Sequence, residues 1–277
     1  MKTQNKILIA SLFLTYTITL TESPFQPYWP HPRYQSQSYM YTRPLFQNVA
    51  MQQALWHSMV YQKSGPWMTG IQLTGAHQRA TSVRKNNYYF LLDCHENLLV
   101  SGDDNINDVW ERQVRAEWLS LPSNFRGKMT IAPCQVQAGV ALEIHQDFCH
   151  LFDMQFLKDY WVSIVLPLVY VKNNLNLTQW NIQNPGTCPA DIIQAFANPE
   201  WHFSTLCGPQ SSVQPADMYI RLGKTYYNQD DFQLLYYSGW VIPTSSEQDP
   251  RYLFSPVAGF GGHWGMLAGV HTQILLS

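Results

Sequence analysis

The sequence predicts an all-β chain: an antiparallel up-and-down sheet of about ten strands (8 to 12) closing into a β-barrel over residues 45–277. Three observations lead to this. The segments "CQVQAGVALEIHQ" (134–146) and "HWGMLAGVHTQI" (263–274) alternate with a period of two, which sends neighbouring side chains to opposite faces of a strand. Several strand-like runs extend over roughly ten to twenty residues, where ordinary strands average about 5 or 6. Composition agrees: charged residues make up 13% of the chain and aromatic residues 14%, with 16 Tyr and 10 Trp. The charged share is about half that of an ordinary globular domain.

The first segment, "MKTQNKILIASLFLTYTITLTES", places Lys2 and Lys6 before an apolar run and then small polar residues, the layout of a signal peptide over 1–23. Residues 24–44 are rich in Pro, Tyr, Gln and Ser without an apolar period and are expected to form a disordered arm. "LFQNVAMQQALWHSMVY" (45–61) fits a helix or an irregular strand equally. From Pro66 the texture is β. "WMTGIQLTGAHQ" alternates, "NYYFLLDCHENLLVSGDDN" resembles a hairpin turning at 94–97, and "VWERQVRAEWLSL" (109–121) sets Trp110, Val114, Ala116 and Trp118 against charged residues.

After the 134–146 strand come a turn at 147–157, a long strand at 158–178, and a long loop at 179–215 carrying the helical stretch "ADIIQAFANPEW". A hairpin at 217–244 turns on Asn228 to Asp231, and a loop at 245–261 leads to the last strand, 262–276. Counted backward from a periplasmic C-terminus, the loops 245–261, 179–215, 121–127 and 94–97 fall on the outer side of a membrane. Turns 228–231, 147–157, 102–108 and 79–86 fall on the periplasmic side, so the two longest loops share one end.

On these residues the chain resembles a bacterial outer-membrane β-barrel protein of the porin-like kind, over roughly residues 45–277. The resemblance implies a transmembrane barrel in the outer membrane, with lipid as its partner, small solutes as its cargo and a pore, transport or surface role. It also implies a final aromatic residue. The chain ends "ILLS", so the barrel is expected to be incomplete at its C-terminus or to end on an atypical strand. In the barrel, Trp264, Met266, Ala268, Val270 and Ile274 would face lipid. The candidates for the lumen are Arg115, Glu117, Gln135, Gln137, Glu143, His145, Arg221, His263, His271 and Gln273.

Other functions have less behind them. Net charge is −2 with no Lys/Arg cluster, which excludes nucleic acid as a partner. "HQDFCH" puts His145, Asp147 and His150 close together, but on a strand His150 leaves the face the other two share, and no metal or other cofactor is expected. Five cysteines without a CxxC pair argue against a disulfide framework, with Cys188 and Cys207 the one pair worth testing. Catalysis is not expected: a lipid-acting hydrolase would use Ser238, yet no nucleophile-base motif surrounds it. The main alternative is a secreted soluble β-sandwich that binds carbohydrate or another surface through exposed Trp and Tyr.

Overall fold

A computed structural model describes residues 44–47, 69–80, 97–148, 155–206, 208–228 and 232–274 of the chain. The expected signal peptide, nearly all of the arm, residues 48–61 and the 94–96 turn lie outside these residues. What is described is overwhelmingly β, in two sheets whose neighbours run antiparallel, apart from one short parallel pair.

The larger sheet is built from β1 (Thr69–Arg79), β5 (Cys134–Asp147), β6 (Tyr160–Asn174), β9 (Met218–Asn228), β10 (Phe232–Ile242) and β11 (Gly265–Ile274), side by side in that order; β1 and β11 do not pair with each other, so the expected closed barrel of about ten strands is not found among the described residues. These strands have 10 to 15 residues each, and a tilted strand of about 9 to 11 residues crosses a bilayer. A further strand, β8 (Gln210–Pro215), pairs with the upper part of β6 and continues the line of β9. Pro167, inside β6, has no amide to donate. It lies where the neighbouring strand is interrupted, between Pro215 and Met218, and its carbonyl accepts the amide of Ala216.

Each strand of this sheet runs antiparallel to its neighbour, so its connections alternate between two ends. Residues 80–133, 175–209 and 243–264 connect strands at one end. Residues 148–159 and 229–231 connect them at the other. The expected grouping of the two longest loops at one end is therefore correct.

The three long connections fold together into a cap. Its sheet, in the order β3 (Val114–Arg115), β2 (Leu98–Ser101), β4 (Arg126–Thr130), β7 (Thr178–Gln183), takes strands from the first two connections. The short helix α1 (Ile192–Phe196) is the expected helical stretch, capped by the Asp191 side chain accepting from the Gln194 amide at 2.9 Å. Val100, Phe125, Met129, Ile192, Leu206 and Phe254 make one buried core from all three connections. A bridge from Thr205 to Tyr252 joins the second to the third.

Residues 98–130 therefore do not extend the main sheet, contrary to what their alternation suggests; turn 102–108 belongs to the cap, and the chain leaves β1 at Ala80 on the end of the long connections, not on the opposite end expected for a turn at 79–86. β1 pairs directly with β5 across this insertion. Segment 109–121 is not a full strand either. The amides of Glu111 and Arg112 both donate to the carbonyl of Asp108, which closes a turn, and residues Ala116–Leu119 form a 3-10 helix ended by Ser120 at φ 58°.

The two faces of the main sheet invert the usual arrangement. One face carries the row Ile71, Ile144, Ile164, Ile220, Trp240 and Met266, one residue from each of the six strands in direct register. Above it Leu73, Leu142 and Leu166 form a second row. This face is open: Ile71 is 72% exposed and Met266 76%. The opposite face is buried and carries the polar side chains. No helix among the described residues is long and apolar enough to cross a membrane.

Candidate functional site

The buried face of the main sheet gathers the candidate site. One register row runs Gly70, His145, Ser163, Arg221, Gly239, Leu267. Glu143 stands one step above it. Alternation puts all these side chains on one face because they occupy every second position of strands locked in register.

Arg221 and Glu143 form a buried ion pair, with Nη2 to Oε1 at 3.8 Å. The Ser163 hydroxyl donates to the same Oε1. The other carboxylate oxygen, Oε2, has no hydrogen bond among the described residues. Two opposite charges withdrawn from water offset each other's desolvation only in part. Such a pair contributes little net stability, and removing one partner would cost far more.

Aromatic rings lie flat beside this pair. Trp161 is buried, with its ring centre 4.9 Å from that of His145. It lies over Gly223, its register neighbour on β9, where an added Cβ would come within 2.2 Å of the ring. Tyr237 lies in the same way over Gly269 of β11, where a Cβ would meet its hydroxyl at 2.6 Å. The glycines leave room for rings that lie along the sheet instead of standing out from it.

Further up, Gln137 Nε2 donates to Gln135 Oε1 at 2.7 Å, and Gln135 Nε2 donates to Asn173 Oδ1 at 2.8 Å. Asn173 donates in turn to the Ser255 carbonyl at 3.0 Å, tying the ladder to the third long connection. The face is thus a set of fixed hydrogen-bonding groups with two aromatic rings laid along it.

Of the ten residues the sequence singled out, Gln135, Gln137, Glu143, His145 and Arg221 come together here. His271 is half-buried on β11, opposite Leu235. Gln273 is the register partner of Gln233, and its side chain lies outside the described residues. His263 is a correction: it is exposed, because Gly261 and Gly262 adopt positive φ (65° and 90°) and turn the chain before β11 begins at Gly265.

Arg115 and Glu117 are also corrections. They belong to the cap, where Arg115 pairs with Asp103 and lies over the Trp118 ring at 5.8 Å, while the Glu117 carboxylate accepts the Asp103 amide at 2.7 Å. Arg112, donating to the exposed Asp103 carboxylate, holds it below the ordinary carboxylate range, with Arg115 adding to the effect. Deeper in the cap, Asp108 accepts from Arg126 Nε at 2.6 Å and from the Ser101 hydroxyl at 3.0 Å. Those bonds lower its pKa and raise that of Arg126.

The sequence missed Trp161, Ser163 and Asn173 because β6 reads as one apolar run. The signal was present in its alternate positions, but Val165, Val169 and Val171 share their face and mask it. Of the remaining candidates, Ser238 lies on the open face between Leu222 and Ala268, with no base as register partner. Cys188 is exposed and unbridged, while Cys207 and His150 lie outside the described residues.

No protein-family model, curated protein or solved structure matches the chain.

Proposed function

We propose that the chain is an outer-membrane β-barrel protein of bacteria with a pore, transport or surface role and no covalent chemistry. Its main sheet forms the wall, the apolar rows meet lipid, the polar face lines the lumen, and the cap stands over one end. The observation that carries this reading is the six-strand row from Ile71 to Met266, apolar throughout and open, backed by a buried face bearing Arg221, Glu143 and His145. Water would favour the reverse arrangement, whereas hydrocarbon favours this one. The grouping of all long connections at one end agrees, since barrels of this kind carry long loops outside and short turns on the periplasmic side.

The mature chain, refolded in detergent and run unboiled and boiled on a gel, should need detergent to stay in solution and should shift mobility on heating. A chain fully soluble without detergent would sink the proposal. A second reading, a secreted surface-binding protein, draws on Trp110 and Trp118 of the cap, 94% and 68% exposed. Retention on polysaccharide columns by the detergent-free protein would favour it.

A further inference from the structure

The buried face of the main sheet is polar only in part. Above the His145–Arg221 row it carries an apolar patch of Ala141, Val165, Val169, Val171, Tyr219 and Val241. A lumen wall in contact with water has no use for such a patch, so its occupants matter. They are two separate pieces of the chain.

The first is Leu45–Phe46, in the short 3-10 turn Leu45–Gln47, 1% and 2% exposed. It precedes β1 by more than twenty positions and is no part of any strand. On β5 its place is left clear by Gly139, where an added Cβ would approach the Phe46 ring to 3.2 Å and the Leu168 carbonyl to 2.6 Å. The second piece is Ala258–Phe260, from the last long connection. Asp217, itself buried, accepts the Phe260 amide as well as the amide and hydroxyl of Ser245, at 3.2 and 2.7 Å, so this segment is pinned against the sheet.

Depth gives the arrangement its meaning. Val140 and Leu168 are register partners flanking Gly139 and Val169, and they point out from the open face, each nearly half exposed. Phe46 therefore sits at the level of the apolar band, on its other side.

We infer that Leu45–Phe46, braced beside Phe260, is an internal plug that holds the lumen closed at the depth of the hydrocarbon core. This rests on the barrel reading. The seat is apolar where the plug lies, and polar groups border it at both ends: Glu143 shares a register row with Val165 and Tyr219, and Gln137 one with Val171.

The test is ion and sugar flux through vesicles holding the full mature chain. The unaltered protein should be nearly closed. The double variant Leu45→Asp/Phe46→Asp should raise flux about tenfold or more, since losing an interaction comparable to burying one side chain shifts a closed-open equilibrium by that factor. Phe46→Leu, which keeps an apolar seat, should stay closed. Free flux through the unaltered protein would overturn the plug, and so would a double variant that keeps its heat-shifted mobility yet stays closed. If the double variant does not fold, Phe46→Ala decides in its place, with increased flux expected and unchanged flux overturning the idea. The gel separates the two proposals: without a heat shift in the unaltered protein the barrel fails, and with one the flux measurements judge the plug alone.

Discussion

In the cap, Val100, Phe125 and Met129 point inward to a dry core, and Asp103, Arg115 and Glu117 lie at its surface. In the main sheet, Glu143 and Arg221 are buried while Ile71 and Met266 stand open. Both regions obey the same alternation, and both are open sheets among the described residues, the main one edged by β1 and β11. What differs is the surroundings each sheet is built for. The cap's arrangement is the one water favours, and the main sheet's arrangement is the one that, under the proposed reading, lipid would favour.

The contrast can be broken most decisively in the cap. Phe125→Ala should cost about 3–5 kcal/mol of cap stability by leaving a cavity in a core drawn from all three connections. Limited proteolysis should then cut within residues 98–130, while the heat shift expected of the main sheet under the barrel proposal survives. Loss of both together would show that the two regions fold as one unit.

Met266→Lys sharpens the contrast from the other side. Against lipid it should cost about 2–4 kcal/mol near the middle of the band, read as a smaller folded fraction in vesicles. A position facing water would accept the change within about 0.5 kcal/mol. A near-neutral result would move the open face out of the bilayer.

Gly223→Ala tests the packing of the buried face. Its new Cβ would meet the Trp161 ring, and overpacking of this kind costs about 1–3 kcal/mol, seen as a lower denaturant midpoint. An unchanged midpoint would show that Trp161 can move aside freely.

The smallest effect concerns pH. The folded-state pKa of Asp108 is lowered by Arg126 and Ser101, so its contribution is present above the unfolded value of about 3.9 and is lost as pH falls through the folded value. The cap should therefore melt more easily below about pH 4. Asp108→Asn should flatten that acid limb and lower stability at neutral pH by on the order of 1 kcal/mol. An acid limb of the same slope in the variant would remove Asp108 from the account.

Much of the polar face is legible in the order of residues alone. The alternation in "CQVQAGVALEIHQ" places Gln135, Gln137, Glu143 and His145 on one face of β5, and "DMYIRLGKTYY" does the same for Arg221. Alternation reports faces faithfully because it is a property of a single strand. It cannot show that Arg115 and Glu117 lie elsewhere, since their segment alternates too and only the bonds from 111 and 112 to Asp108 turn it aside. Nor can it show Trp161 and Ser163 in β6, where Val165, Val169 and Val171 occupy the same buried face.

The sequence by itself determined the all-β class, the faces of β5 and β9, and that the 179–215 and 245–261 loops gather at one end, because these depend on local side-chain period and on the order of turns. Only the tertiary structure decided which strands share a sheet, that three distant connections make one cap core, and that Leu45–Phe46 fills the patch on the buried face. Those facts rest on contacts between residues far apart in sequence, and no local pattern encodes a partner that distant.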